Sequence, residues 1–294
     1  MTARVLTRVA ALLVLAVVVG YWVVATGLHS ERVASLDLSS LTGDTREGEY
    51  VAHTAGCVAC HTDASNGGSF LAGGVAFNTP FGTLYSPNIT SDSRTGIGDW
   101  SLTEFATAML AGVSPEGEHY YPAFPYTSYS VMSDQELVDL KAWLDTVEPV
   151  SQVTPRHDLV WPLSNRSSML GWKALFFDPD REIQTTDRGG YLVNGPGHCA
   201  ECHASRNRLG GVADRALVGN LRGPDGQSVP GITASDLRNW TQEDMELFLE
   251  VGILPDGDFS GGHMTDVIEY STGLLTLEDR QAIARYLLSG ANGS

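Results

Sequence analysis

The chain has 294 residues, a length that suits two domains of ordinary size. Its 18 Lys and Arg against 35 Asp and Glu give a formal net charge of −17. This argues against nucleic acid as a partner, because phosphate contacts need clustered basic residues. A hydrophobic fraction of 43% is too high for a disordered chain, and 32 glycines in a weakly charged sequence point to many turns and close backbone packing.

The first candidate element is N-terminal. Arg4 and Arg8 precede an uncharged run from Val9 to Ser30. At about 1.5 Å per residue, the stretch from Val9 to Leu28 spans about 30 Å, one hydrocarbon core. Residues 1–30 therefore read as a transmembrane anchor with the N-terminus inside and the remainder exported. A cleaved signal peptide is the alternative. Its apolar region is normally only about 7–15 residues long and ends in a small-x-small site, which Val24-Ala25-Thr26-Gly27 matches poorly.

Next comes Cys57-Val58-Ala59-Cys60-His61, and later Cys199-Ala200-Glu201-Cys202-His203. Together they use all four cysteines. An exported chain could pair these in disulfides, and a C-x-x-C pair alone could be a redox dithiol or half a zinc site. The histidine after each pair favours a different chemistry. C-x-x-C-H is the attachment sequence of c-type haem. Two thiols three apart on one helical turn bond to two vinyl groups of one porphyrin, and the next residue brings its imidazole to the iron. The expected cofactors are two covalently bound haem c, held by Cys57, Cys60, Cys199 and Cys202, with His61 and His203 on the irons.

Between the first motif and Trp100 the chain is rich in Gly, Ser, Asn and Pro and reads as loop. Ser101-x-x-Glu104 and Ser133-x-x-Glu136 then look like capping boxes opening apolar-periodic helices. Residues 151–186 read as a linker packed on the surface through Trp161, Trp172 and Phe176-Phe177. After the second motif, Thr241-x-x-Asp244 and Thr276-x-x-Asp279 open the last helices.

The chain repeats itself. Trp100, Gly112, Pro115 and Gly117 coincide with Trp240, Gly252, Pro255 and Gly257 at an offset of 140, and the motifs coincide at 142. Pro87-Asn-Ile-Thr matches Pro230-Gly-Ile-Thr at 143. Two helical copies, residues 45–150 and 187–291, follow, each with one haem supplying bulk to a thin core.

The second axial ligand separates carrier from open catalyst, and His/Met ligation suits electron transfer. Met264, on a loop before the last helix, is the candidate in the second copy. In the first copy the offset of 140 puts Phe124 in that place, and Met132 is the choice, with His119 or an open iron as alternatives. Met109 and Met245 read as core, and His29, His53, His157, His198 and His263 receive no role.

The stretches Pro87-Asn-Ile-Thr-Ser-Asp, Thr95-Gly-Ile-Gly-Asp-Trp100, Tyr121-Pro-Ala-Phe-Pro-Tyr-Thr-Ser-Tyr129 and Gly197-His-Cys-Ala-Glu-Cys-His203 resemble the membrane-anchored diheme and multiheme cytochrome c subunits of periplasmic alcohol, gluconate and aldehyde dehydrogenases. Many relatives carry Met where this chain has Phe124, and a third motif found in three-haem relatives is missing. The resemblance implies an all-α fold of two tandem class I cytochrome c-like domains behind a transmembrane helix. It also implies a non-catalytic subunit on the periplasmic side of the inner membrane. A dehydrogenase catalytic subunit is the expected donor, and a terminal oxidase or another cytochrome the acceptor. The alternative is a diheme enzyme, peroxidase-like or thiosulfate-oxidising, with one open or labile iron.

Overall fold

Helix boundaries follow the capping residues. The computed structural model describes residues 20, 31–183, 187–212 and 215–290. After α1 (Glu31–Ala34), α2 (Thr45–Thr54) starts where the Asp44 carboxylate accepts the N–H groups of Arg46 and Glu47. The first motif forms α3 (Cys57–His61). Ser101 and Glu104 close a reciprocal box at the start of α4 (Leu102–Ala111). A short α5 (Tyr126–Tyr129) follows, and Ser133 and Glu136 cap α6 (Asp134–Leu144) in the same way. The linker contributes α7 (Ser168–Phe176). Then come α8 (Arg188–Asn194), α9 (Ala200–His203), α10 (Gln242–Val251), α11 (His263–Tyr270) and α12 (Leu277–Ser289). Thr241 and Asp244 box the start of α10. At α12 the Thr276 hydroxyl accepts from Asp279 N–H, but the buried Asp279 carboxylate bonds Tyr50 and Arg188 instead of the cap.

Two hydrophobic cores result. The first gathers α2, α4 and α6 around Phe105, Met109, Leu137 and Leu140, with α2 crossing α6. The second gathers α8, α10 and α12 around Leu192, Met245, Leu249 and Ile283, with α8 crossing α12. Equivalent residues join the halves reciprocally. Tyr50 of α2 donates its hydroxyl to Asp279 Oδ2 (2.7 Å) and accepts from Thr276 N–H at the start of α12. Tyr191 of α8 donates to Glu136 at the start of α6. Each half thus lays a tyrosine on the capped helix start of the other.

Asp279 also receives two hydrogen bonds from Arg188, at 3.0 and 2.7 Å. Burial acts to raise its carboxyl, but the bonds from Arg188 and Tyr50 outweigh burial and hold it below the usual carboxylate range. A carboxyl lowered on folding contributes stability above its unfolded pKa of about 3.9, and this is lost as pH falls through the folded value. Asp279→Asn is expected to cost about 1.5–3 kcal/mol at neutral pH, the worth of hydrogen bonds to a charged group. In urea titrations, its gap to the parent protein should narrow as pH drops from 7 towards 3.

The described residues are mostly helical, yet the all-α expectation needs correction. Strands β1 (Ala76–Thr79), β2 (Gly82–Tyr85) and β3 (Asp158–Leu159) form an antiparallel sheet in the order β1-β2-β3. Ala76 pairs with Tyr85 and Thr79 with Gly82, while Thr83 pairs with Asp158 of the linker. The linker also differs from a surface strap. Trp161 is 84% exposed and anchors nothing, whereas Met169, Leu170 and Lys173 of α7 are buried. The expected anchor, residues 1–30, lies outside the described residues apart from Gly20. Among the described residues no helix is long and apolar enough to cross a membrane.

Candidate functional site

Helix α2 ends at Ala55, and Gly56 (φ +65°) turns the chain into α3. Cys57, Cys60 and His61 line a cavity of about 1160 Å³. That is somewhat above the range of about 300–1,000 Å³ usual for small-molecule and cofactor sites. Trp100, Phe105, Met109, Phe124 and Tyr129 contribute to its walls, so much of it is apolar. His61 Nδ1 lies 2.8 Å from the carbonyl of Pro87. A carbonyl only accepts, so Nδ1 carries the proton and the Nε2 lone pair is free. Burial lowers the His61 pKa against the opposing Pro87 bond. Burial pushes the Cys57 thiol up to about 12 and Cys60 to about 11, with Cys60 adding to the rise at Cys57 and Cys202 to that at Cys60.

The second motif repeats this local design. His203 Nδ1 lies 2.8 Å from Pro230 O, the counterpart of Pro87 O. The carbonyls of His61 and His203 accept from Gly73 N–H (2.8 Å) and Gly219 N–H (2.7 Å). Burial pushes Cys199 up to about 12 and raises Cys202. No disulfide joins any of the four cysteines.

The two motifs abut. A Cβ on Gly56 would sit 3.3 Å from Cε1 of His198, the residue before Cys199. The His198 ring meets Tyr129 edge-on at 5.7 Å, and Tyr129 donates its hydroxyl to Ala55 O (2.6 Å). Thr127 and Ser128 of α5 donate to Glu201 Oε1 inside the second motif. Burial opposes ionisation of Glu201, but Arg206 and Arg215 win and hold its carboxyl low. Arg215 in turn bonds Ser128 Oγ at 3.0 Å and Thr127 O at 3.1 Å.

Comparison with known proteins places this geometry. Residues 45–148 match the family described as cytochrome c. A diheme cytochrome c-type protein of Cereibacter sphaeroides is 41% identical over 277 residues, covering 90% of this chain and 92% of that one. The chain belongs to the cytochrome c family. It is also 41% identical to the gluconate 2-dehydrogenase cytochrome c subunit of Pantoea cypripedii over 83% of this chain and 59% of that subunit. Against the cytochrome c subunit of the quinone alcohol dehydrogenase of Gluconacetobacter polyoxogenes, identity is 38% over 83% of this chain and 55% of that one. The chain spans between half and two thirds of the length of those two subunits.

Cytochromes c carry haem covalently, and the first cavity fits that group. Two thiols, a histidine with its Nε2 free and apolar walls meet in one large space. The axial methionine expected for the first copy is not among the lining residues. Met132 is fully buried in the first core, beside the α6 cap, and its backbone N–H bonds Tyr129 O (2.9 Å). Met109, His119 and Phe124 are among the lining residues. Met264 is half-buried in the first turn of α11, next to His263, whose Nε2 lies 2.7 Å from Asp225 Oδ2. Sequence reasoning passed over Pro87 and Pro230 as ring-orienting acceptors, although their matched tetrapeptides were the available signal. It also passed over His198 and Tyr129, whose contact depends on how the copies dock.

Proposed function

We propose that the protein is a two-haem electron carrier on the periplasmic side of the inner membrane. It takes electrons from the catalytic subunit of a dehydrogenase and passes them to a terminal oxidase or another cytochrome. Residues 45–150 and 187–291 are tandem class I cytochrome c-like domains, 151–186 joins them, and 1–30 anchors them. Cys57 and Cys60 tether one haem, and Cys199 and Cys202 the other. His61 and His203 ligate from one side, each oriented by its proline carbonyl. Met264 offers sulfur in the second domain. The bound haems supply one-electron iron couples; the chain fixes their positions, shields them from water and tunes their potentials.

The observation that carries this reading is the abutment of the two motifs at Gly56, Tyr129 and His198. Attachment sequences in contact suit two prosthetic groups working as one short relay, which an independent pair of domains would not need. The dehydrogenase cytochrome subunits among the relatives support the choice of donor.

The test uses purified, haem-loaded protein. Intact mass should exceed the polypeptide by two haems, and a reduced dehydrogenase should reduce both. Met264→Ala is expected to lower the potential of one haem and open it to carbon monoxide while both stay attached. Unchanged potentials and spectrum in that variant would remove Met264 from the iron.

A further inference from the structure

The repeat points to a donor for the second face of the first haem. The loop after α4 matches the loop after α10 bond for bond. Gly112 and Gly252 both end their helices in the left-handed conformation. Tyr120 N–H donates to Gly112 O, as Ser260 N–H does to Gly252 O, each at 2.8 Å. Ser114 N–H donates to Glu118 O, as Leu254 N–H does to Asp258 O. Val113 bridges His119, and Ile253 bridges Phe259. The offset is 140 at every one of these pairs, so the register is fixed by hydrogen bonds.

On this register His119 stands where the second copy has Phe259, and Phe124 where it has Met264. At these two positions each copy has one iron-binding side chain and one phenyl ring, in exchanged order. His119 and Phe124 both line the cavity that contains Cys57, Cys60 and His61. Met109 lines it too, but its counterpart is Leu249, and the two are equally buried core residues at 5% exposure. Position 109 therefore reads as packing.

The imidazole is held from behind. His119 Nδ1 lies 3.1 Å from Lys173 Nζ. When Nδ1–H donates to the lone pair of a neutral Lys173 amine, whose own two N–H groups go to Ala111 O and Gly112 O, the Nε2 lone pair is left for a metal. Lys173 is 1% exposed, donates to Ala111 O (2.6 Å) and Gly112 O (2.8 Å), and sits 4.6 Å from the centre of the Tyr126 ring. It belongs to α7, in a segment without counterpart in the second copy.

We propose that His119 is the second axial ligand of the first haem, opposite His61, so that the two haems carry unlike ligand pairs. This rests on the two-haem reading above. Histidine–methionine ligation raises a haem's potential relative to two histidines. The first haem is then the stronger reductant, and electrons entering there run downhill to the haem of the second domain.

The test begins with mass on the haem-loaded full chain. Fewer than two haems sinks the two-haem reading itself, whatever His119 does. With two present, near-infrared magnetic circular dichroism of the unmutated oxidised protein should show one bis-histidine and one histidine–methionine haem in equal amounts. Two histidine–methionine signatures, or carbon monoxide binding to one haem of the unmutated protein, would overturn the assignment. His119→Ala should turn one haem high-spin and open to carbon monoxide, keep the methionine–iron charge-transfer band, and recover low-spin character on adding imidazole. An unchanged spectrum would overturn it as well. If His119→Ala does not mature, His119→Met decides: a second charge-transfer band supports the assignment, and its absence with the bis-histidine signature retained refutes it.

Discussion

Cys199→Ala combined with Cys202→Ala is expected to yield a protein that weighs one haem less and whose second half unfolds first. Both thioethers of that site are removed, while Cys57 and Cys60 remain with their own cavity. Cys199 packs against the second core, whose fully enclosed side chains are few and mostly single aliphatics such as Leu192, Val193 and Leu217. A core this thin leans on its prosthetic group for apolar bulk, as small metal-stapled scaffolds do. The loss should also reach the first half, because Tyr191 holds Glu136 and Glu201 holds Thr127 and Ser128. Intact mass and limited proteolysis read the outcome. Two covalent haems in this variant would mean that the second motif does not attach one.

The sequence made the helix starts readable because capping is local. Ser101, Ser133, Thr241 and Thr276 each need only a residue three positions on. The repeat was readable because Trp100 and Trp240, or Gly112 and Gly252, occupy the same places in equivalent loops. What stayed hidden depends on distant partners. The strands span four residues or fewer, and β3 comes from the linker, so no alternating pattern announces them. Met132 and His119 sit in one loop region, and composition alone does not say which faces the cavity. A buried lysine is improbable on composition, yet Lys173 finds two helix-end carbonyls and an aromatic face to replace water. Trp161 shows the converse, an aromatic that looked like an anchor and stands in solvent.

The helix crossings predict one substitution with opposite signs at different sites. At Gly48 in α2 an added Cβ would lie 2.0 Å from Asp139 O and 2.8 Å from Trp143 Cβ of α6. At Gly189 in α8 it would lie 2.0 Å from Ala282 O of α12. Backbone oxygens cannot rotate away, so the helices must separate. Overpacking of this kind costs about 1–3 kcal/mol, occasionally more. Alanine's better helix propensity returns up to about 1 kcal/mol, so Gly48→Ala and Gly189→Ala should still destabilise, and Gly48→Val and Gly189→Val should do so severely. Gly171, exposed in the middle of α7, has nothing within 4 Å of the added carbon. There the propensity gain acts alone, and Gly171→Ala should stabilise by up to about 1 kcal/mol. Thermal unfolding of the haem-loaded variants reads the contrast directly. If Gly48→Ala and Gly189→Ala moved the midpoint upward as Gly171→Ala does, the close α2–α6 and α8–α12 crossings would be wrong. The docking that brings the two motifs together would lose its frame with them, because Tyr50 and Tyr191 reach across from those same helices.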